Sequence, residues 1–225
     1  MCFVPKVSLA TALIEFLVAF WLYLKFPLKP LKIFFVIILC LLGFYQLTEF
    51  MLCVFGQAEI WGKMGFIAYT LIPAVTLYFS LILIKKKANL WLVMFWPLYF
   101  VSYALLDTNF ILQGTCSTLF VTVRNKFSFP DSRLLPFSIY SFYYYSYLAL
   151  SSATIIWGAL KSQTKKEKRI FWLMFISIIL TLFPPLFLIV IFPSLGIKFP
   201  SVYCQFAMIL TIVAIIGLYL ENSSK

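Results

Sequence analysis

The chain has 225 residues, of which 64% are hydrophobic and only 11% are charged. Soluble globular domains usually contain about 45–50% apolar and about 25% charged residues. A chain this apolar cannot cover its core with polar surface, so we expect an integral membrane protein. This composition excludes a disordered tail, a collagen-like fibre and a secreted disulfide scaffold.

Seven apolar segments are each long enough to cross the hydrocarbon layer, which takes about 20 residues of helix. Lipid offers the backbone no hydrogen-bond partners, so each segment is predicted to be a helix. The alternative is six spans, without the fifth or the seventh segment. The sequence therefore predicts an all-α membrane protein with one seven-helix domain over residues 1–225. The predicted spans are residues 7–24, 32–54, 62–84, 90–111, 136–160, 169–192 and 201–220.

The basic residues between the spans predict the orientation. Of the 18 Lys and Arg residues, 12 fall on the side of the first, third and fifth loops, and 6 fall on the other side. The side richer in Lys and Arg is usually cytoplasmic. We therefore expect the N-terminus outside, the C-terminus inside, and a multi-pass protein of the inner, cytoplasmic cell membrane.

The loop from Gln113 to Leu135 is the only one long enough to have a structure of its own. Two β-rich runs, 119–123 and 127–129, flank the polar residues 124–126. Such runs around a short polar turn are typical of a β-hairpin. The loop is either a simple connection or a lid over an outward-facing pocket, because long loops without a role are uncommon.

Five cysteines are present, and no pair has CxxC spacing. Cys53, Cys116 and Cys204 are all predicted near the outer side. One disulfide among them is compatible with an oxidising compartment. The spacing does not select the pair.

Three carboxylates lie within predicted spans: Glu15, Glu49 and Asp107. Ionisable residues inside a membrane cost about 2.5–3.5 kcal/mol on insertion scales and are candidates for function. Helical spacing places Ser8 and Thr11 on the face of Glu15, and Gln46 on the face of Glu49. We predict that the two glutamates face each other in the outer half of the bundle and share a proton. The alternative is a protonated glutamate with a purely structural role.

Other polar side chains are predicted in the same outer half. Together with the carboxylates they form the candidate floor of a ligand pocket. The alternative for the tyrosines is an interfacial belt, where the apolar ring and polar tip are both accommodated. The complete set of candidates is Glu15, Gln46, Glu49, Tyr103, Asp107, Asn109, Tyr144 and Tyr145.

Several chemistries are excluded by what the sequence lacks. It contains no histidine, which removes His-based zinc sites, Ser-His-Asp or Cys-His catalytic sets, and haem held by histidine. No P-loop, GxGxxG or HExxH motif is present, and the last span has no lysine that could carry retinal. We therefore expect no enzyme, no catalytic residue, no cofactor and no metal.

The order of features resembles the seven-transmembrane N-terminal sensor region of bacterial histidine kinases, which also precedes diguanylate and nucleotide cyclases. The similarity extends over nearly the whole chain but includes no catalytic motif. Such regions usually continue into a cytoplasmic output domain, whereas this sequence stops at Lys225. The segments that carry the resemblance are 42–50, 60–73, 107–109, 143–148, 180–185 and the turn at Gly196.

The resemblance implies a sensor or receptor-like module without its own transmitter. It would bind a small molecule, or sense the membrane, and signal to a separate cytoplasmic kinase or cyclase. Its expected partners are membrane lipid, that cytoplasmic protein and an unidentified small ligand, but no nucleic acid. The alternatives are a small cation- or proton-coupled transporter or channel and, with less support, a lipid-modifying membrane enzyme.

Overall fold

The computed structural model describes residues 5–116, 121–127, 134–194 and 203–223. Within these ranges the chain is mostly helical, with one two-stranded sheet. The helices are Pro5–Lys25 (α1), Pro30–Phe55 (α2), Ala58–Leu83 (α3), Leu90–Leu106 (α4), Leu134–Lys161 (α5), Lys165–Ser194 (α6) and Tyr203–Asn222 (α7). The strands are Ile111–Cys116 (β1) and Val121–Asn125 (β2), which lie between α4 and α5.

Each of the seven predicted segments coincides with one helix, and most ends agree within a few residues. The exception is the segment 90–111, whose helix already ends at Leu106. Asp107 has extended backbone angles, and Ile111 begins a strand. The prediction was wrong here because residues 110–112 are as apolar as the helix before them, so hydropathy alone does not separate the two structures.

Three helices in the described ranges are long and apolar enough to cross a membrane: α1, α2 and α3. Two shorter apolar stretches are α4 and the part of α7 whose side chains are described, Ala207–Asn222. Many large apolar side chains on the helices also remain exposed, including Leu17, Phe20 and Trp91. An exposed apolar surface of this extent is suited to lipid, so the fold supports a membrane protein.

The helices pack in sequence around a closed ring. α1 contacts α2, α2 contacts α3, α3 contacts α5, α5 contacts α6, α6 contacts α7, and α7 returns to α1 and α2. α4 packs on α3 and also contacts α5, where the Tyr147 hydroxyl donates to the carbonyl of Val93. One apolar cluster, containing Leu22, Phe35 and Leu218, fills the end at which α1 finishes. A second, aromatic cluster, containing Phe66, Phe100 and Tyr140, lies toward the hairpin.

The connection between α1 and α2 is fixed by Lys32. Its side chain is only 3% exposed, and its ammonium donates to the carbonyls of Tyr23 at 2.7 Å and Phe26 at 2.6 Å. The last carbonyl groups of a helix have no hydrogen-bond partners within the helix. The Lys32 ammonium is the hydrogen-bond donor for two carbonyl groups at this end. A lysine that was counted as a loop charge is therefore a cap for the end of α1.

β1 and β2 pair antiparallel, from Ile111 opposite Asn125 to Cys116 opposite Val121. A hairpin between α4 and α5 is present, as predicted, but both the predicted strand pairing and the predicted turn were wrong, because residues 121–123 pair with 114–116. Arg124 and Asn125 lie in β2, and the strands connect through residues 117–120, which are outside the described ranges together with 128–133. The hairpin turn was predicted too late in the chain because the first strand, β1, already begins at the end of the predicted fourth span.

The hairpin is attached to the ends of α2 and α3. A disulfide joins Cys53 at the end of α2 to Cys116 at the end of β1. Gly114 lies so close to the start of α3 that a Cβ atom there would be 2.6 Å from the Cβ of Ala58. The sequence does not determine which two of Cys53, Cys116 and Cys204 form a disulfide, and the structure selects the Cys53–Cys116 pair. The side chain of Cys204 lies outside the described part of the chain.

Candidate functional site

Polar side chains line the contact between α1 and α2. The Ser8 hydroxyl donates to Oε2 of Glu49 at 3.5 Å, and the Thr11 hydroxyl lies 2.5 Å from Oε1 of Gln46. Ser8 and Gln46 are 0% exposed, and Glu49 is 5% exposed. From the first pair to the second, the residue number rises along α1 and falls along α2, so the two helices are antiparallel. Their predicted polar faces therefore meet.

Close approach of the two helices makes these contacts possible. A Cβ atom on Gly43 would lie 3.3 Å from the ring of Phe16 and 3.4 Å from the carbonyl oxygen of Ala12. Ala12 is itself 1% exposed. Small residues at a membrane helix contact allow the backbones to approach, and interhelical hydrogen bonds then form.

Glu15 is the most unusual group in this contact. Its side chain is 0% exposed, and neither carboxylate oxygen has a hydrogen-bond partner among the residues described. The amide nitrogen of Gln46 is also buried without a partner. The same helix contact thus contains two acceptor atoms and one donor atom that the protein does not satisfy, although buried polar groups are nearly always paired.

The predicted direct pairing of Glu15 with Glu49 is not formed. Glu49 lies beside Ser8, and Glu15 follows Ser8 by seven residues, or roughly 10 Å along a helix with a rise of 1.5 Å per residue. The contact between Thr11 and Gln46 lies between these levels. The register was not predictable from the sequence because it depends on how Gly43 packs against α1.

Below Glu15 the interior of α1 and α2 becomes apolar. The buried residues that continue the α1 face are Ala19 and Leu22, and those of α2 include Phe35 and Leu39. All four belong to one apolar cluster. The polar group is therefore confined to the half of the helix pair that lies toward the start of α1.

Asp107 belongs to a different group, at the base of the hairpin. Its carboxylate lies 2.5 Å from the ammonium of Lys126 and accepts the backbone N–H of Asn109 at 3.1 Å. The hydrogen bond from Lys126 is the main cause that lowers the pKa of Asp107, and the Asn109 amide and the Tyr103 hydroxyl act in the same direction. The same bond raises the pKa of Lys126.

Tyr103 and Asn109 accompany Asp107 rather than the glutamates. The ring of Tyr103 packs against Phe127 at a centroid distance of 5.3 Å, and Asn109 is exposed. These three predicted pocket residues therefore connect the end of α4 to the hairpin. Their arrangement is that of an anchored loop, in which a partly exposed ion pair contributes modestly.

The tyrosines of α5 form a third group. The Tyr143 hydroxyl donates to the carbonyl of Thr70 at 2.6 Å, and the Tyr140 hydroxyl lies 3.0 Å from Oγ1 of Thr70. Tyr144 packs beside Tyr140 at a centroid distance of 6.1 Å, and Tyr145 is 42% exposed. Sequence analysis missed Thr70, since a threonine in an apolar segment carries no distinctive signal.

In comparisons with protein-family models, curated proteins and solved structures, none matches this chain. The resemblance to the seven-transmembrane sensor regions therefore remains a prediction. Among the described residues, no group of three or more Cys, Asp or Glu side chains could hold a metal ion.

Proposed function

We propose that this chain is a membrane-embedded, receptor-like module whose external signal acts on the polar contact between α1 and α2. In this proposal all seven helices cross the membrane, the N-terminus is outside, and a separate cytoplasmic protein reads the state of the inner end. The signal is a small polar molecule or a proton that enters from the outer side. The chain itself carries out no catalysis.

Two independent features support this orientation. Lys and Arg residues are twice as numerous in the segments predicted on the side of the α1–α2 loop, as expected for the cytoplasmic side. The Cys53–Cys116 disulfide lies at the opposite end of α2. Disulfides persist mainly in oxidising compartments, so this end is assigned to the outside.

The observation that carries the proposal is the burial of Glu15 without a partner. An ionisable group inside a membrane is costly, by about 2.5–3.5 kcal/mol on insertion scales. A packing role alone would be filled at lower cost by an apolar residue. Together with the unpartnered amide of Gln46, Glu15 offers donor and acceptor positions that a proton or small polar ligand would satisfy.

A route from this site to the inner end exists through α1 and α7. Lys25 at the end of α1 donates to the Tyr219 hydroxyl, and Lys29 donates to Oδ1 of Asn222 at 3.2 Å. A shift of α1 against α2 would therefore change the position of the last turn of α7. This is the surface that we assign to the cytoplasmic kinase or cyclase.

The alternative of a cation- or proton-coupled transporter has less support. Transport requires polar groups in both the outer and the inner half of the membrane. On the inner side of Glu15, the contact between α1 and α2 is instead lined by the apolar residues Ala19, Leu22, Phe35 and Leu39. A site that is polar on one side and closed by an apolar cluster on the other is better suited to sensing than to passage.

Infrared spectroscopy of the protein in oriented membranes tests the site directly. We expect acidification of the outer solution from an alkaline starting pH to increase a carboxylic acid band, and Glu15→Gln to remove a large part of that change. Glu167→Gln is the matched control because Glu167 is exposed at the start of α6. An unchanged difference spectrum in Glu15→Gln, or a response only to the inner solution, would contradict the proposal.

A further inference from the structure

A cationic cavity lies at the end of the helix bundle that is assigned to the cytoplasm. It is formed by α6 and α7, whereas Glu15 and Glu49 lie in α1 and α2. It has a volume of about 260 Å³ and is lined by Lys165, Lys166, Arg169, Leu220 and Ser223. The first three residues come from the start of α6, and the last two come from the end of α7. Three cations thus meet one apolar side chain and one hydroxyl in a single open cavity.

Two of the three cations of this cavity, Lys165 and Arg169, differ from most lysines at the same end, which have protein partners. Lys25 contacts Tyr219 and lies 4.6 Å from the ring centroid of Trp21. Lys29 binds Asn222, Lys32 binds backbone carbonyls, and Lys161 lies 4.3 Å from the ring centroid of Trp157. Among the described contacts, the side chains of Lys165 and Arg169 have no hydrogen bond, ion pair or ring contact.

The nearby acids do not neutralise these two cations. Glu221 interacts electrostatically with Lys29 and Lys166, which oppose the effect of burial on its pKa. Glu167 is two residues from both Lys165 and Arg169, so it lies on the other face of α6. Lys165 and Arg169 are four residues apart and share one face. The cavity therefore keeps a net positive charge.

The start of α6 adds to this charge. The backbone N–H of Glu167 is capped by the Thr164 hydroxyl at 3.2 Å, and the first N–H groups of a helix carry partial positive charge. Phosphate groups bind at helix starts that also present Lys and Arg. Leu220 provides the apolar wall that an acyl-bearing molecule would contact.

From these contacts we propose that the cavity binds a phosphate group, supplied by the headgroup of an anionic phospholipid of the inner leaflet. The inference rests on the membrane placement given under the proposed function. Anionic headgroups of that leaflet attract basic residues near the membrane surface. Occupation of the cavity would connect α6 to α7 at the end from which signalling is proposed.

Native mass spectrometry of the detergent-solubilised full chain tests this site. Phosphatidylglycerol and phosphatidylcholine would be titrated onto the wild type, a Lys165→Gln/Arg169→Gln variant and a Lys87→Gln/Lys168→Gln control. The control removes two charges at the same end that do not line the cavity. We expect the first variant to lose about thirtyfold in phosphatidylglycerol affinity, while the control stays within about twofold of the wild type.

A parallel titration with inorganic phosphate distinguishes the two sources of the phosphate group. Failure of phosphate to displace phosphatidylglycerol would support the lipid, and displacement at equal concentration would overturn it in favour of a soluble phosphate compound. Equal affinities of the wild type for the two lipids, or equal losses of phosphatidylglycerol affinity in both variants, would refute a phosphate site in this cavity. Circular dichroism verifies that each variant is folded, and because Glu15 is not involved, failure here would leave the proposed outer site unaffected.

Discussion

At the scale of single residues, the α1–α2 contact combines close packing with unsatisfied polarity. Gly43 lets the helices approach, and Ser8, Thr11, Gln46 and Glu49 then bond across the contact. The carboxylate of Glu15 and the amide nitrogen of Gln46 have no hydrogen-bond partner among the described residues. A protein normally avoids such groups because each costs about 1–3 kcal/mol, so their presence within one contact is the main sign of a site.

Enlarging Gly43 should separate the helices. In Gly43→Leu the added side chain would meet the Phe16 ring, since the Cβ atom alone already lies 3.3 Å from it. We expect a loss of about 1–3 kcal/mol in the free energy of unfolding, as for other overpacked positions. Gly43→Ala serves as the graded control and should lose less, because only the Cβ atom is added.

Equilibrium unfolding in mixed micelles measures both Gly43 variants. The same samples should show faster hydrogen exchange in the outer turns of α1 and α2. A Gly43→Leu protein as stable as Gly43→Ala would show that close approach of the helices does not hold the polar contact together.

The Asp107–Lys126 ion pair predicts a pH dependence of the hairpin. Because the pKa of Asp107 is lowered in the folded state, its contribution is present above the ordinary value of 3.8 and is lost as the pH falls through the lowered pKa. Because the pKa of Lys126 is raised, its contribution is lost only as the pH rises above 10.5.

Asp107→Asn tests this window. At neutral pH we expect faster hydrogen exchange of the β1 amides in the variant than in the wild type, after correction for the intrinsic rate. The difference should disappear at a pH below the pKa of Asp107. A difference that persists in strong acid would mean that the carboxylate charge is not responsible.

At the scale of elements, the helices were largely predictable and their registers were not. A run such as 32–54 must be helical in lipid because the backbone has no other partner, and α2 spans Pro30–Phe55. The position of Glu15 relative to Glu49, by contrast, depends on which small residues meet across α1 and α2. Likewise, the predicted fourth span includes Ile111, the first residue of β1, because residues 110–112 are apolar, and the predicted hairpin turn is misplaced.

The disulfide is expected to hold the hairpin on α2 and α3. It connects residues 63 positions apart, and disulfides typically stabilise by about 2–4 kcal/mol. Cys53→Ser/Cys116→Ser should lower the free energy of unfolding by that amount. Cys40→Ser is the control, since Cys40 is a free thiol. An unfolding free energy equal to that of the control would show that the aromatic contacts suffice to hold the hairpin.

At the scale of the whole molecule, we expect the end of the bundle with the α1–α2 loop to face the cytoplasm and the end with the hairpin to face the outside. Cysteines placed at Lys86 or Lys166 should resist an impermeant thiol reagent in intact cells, whereas one at Gln57 should react. The background would replace Cys2, Cys40 and Cys204 and retain the disulfide. Labelling at Lys86 or Lys166 without reaction at Gln57 would reverse the topology.

The central claim is that a signal at the α1–α2 contact changes the inner end of the bundle. Hydrogen exchange of the α1–α2 loop and the last turn of α7, measured in proteoliposomes after acidification of the outer solution alone from an alkaline starting pH, tests it most directly. We predict that exchange changes in the wild type and in Glu167→Gln but not in Glu15→Gln. An equal change in all three proteins, or none in the wild type while the outer turns of α1 and α2 respond, would contradict the account.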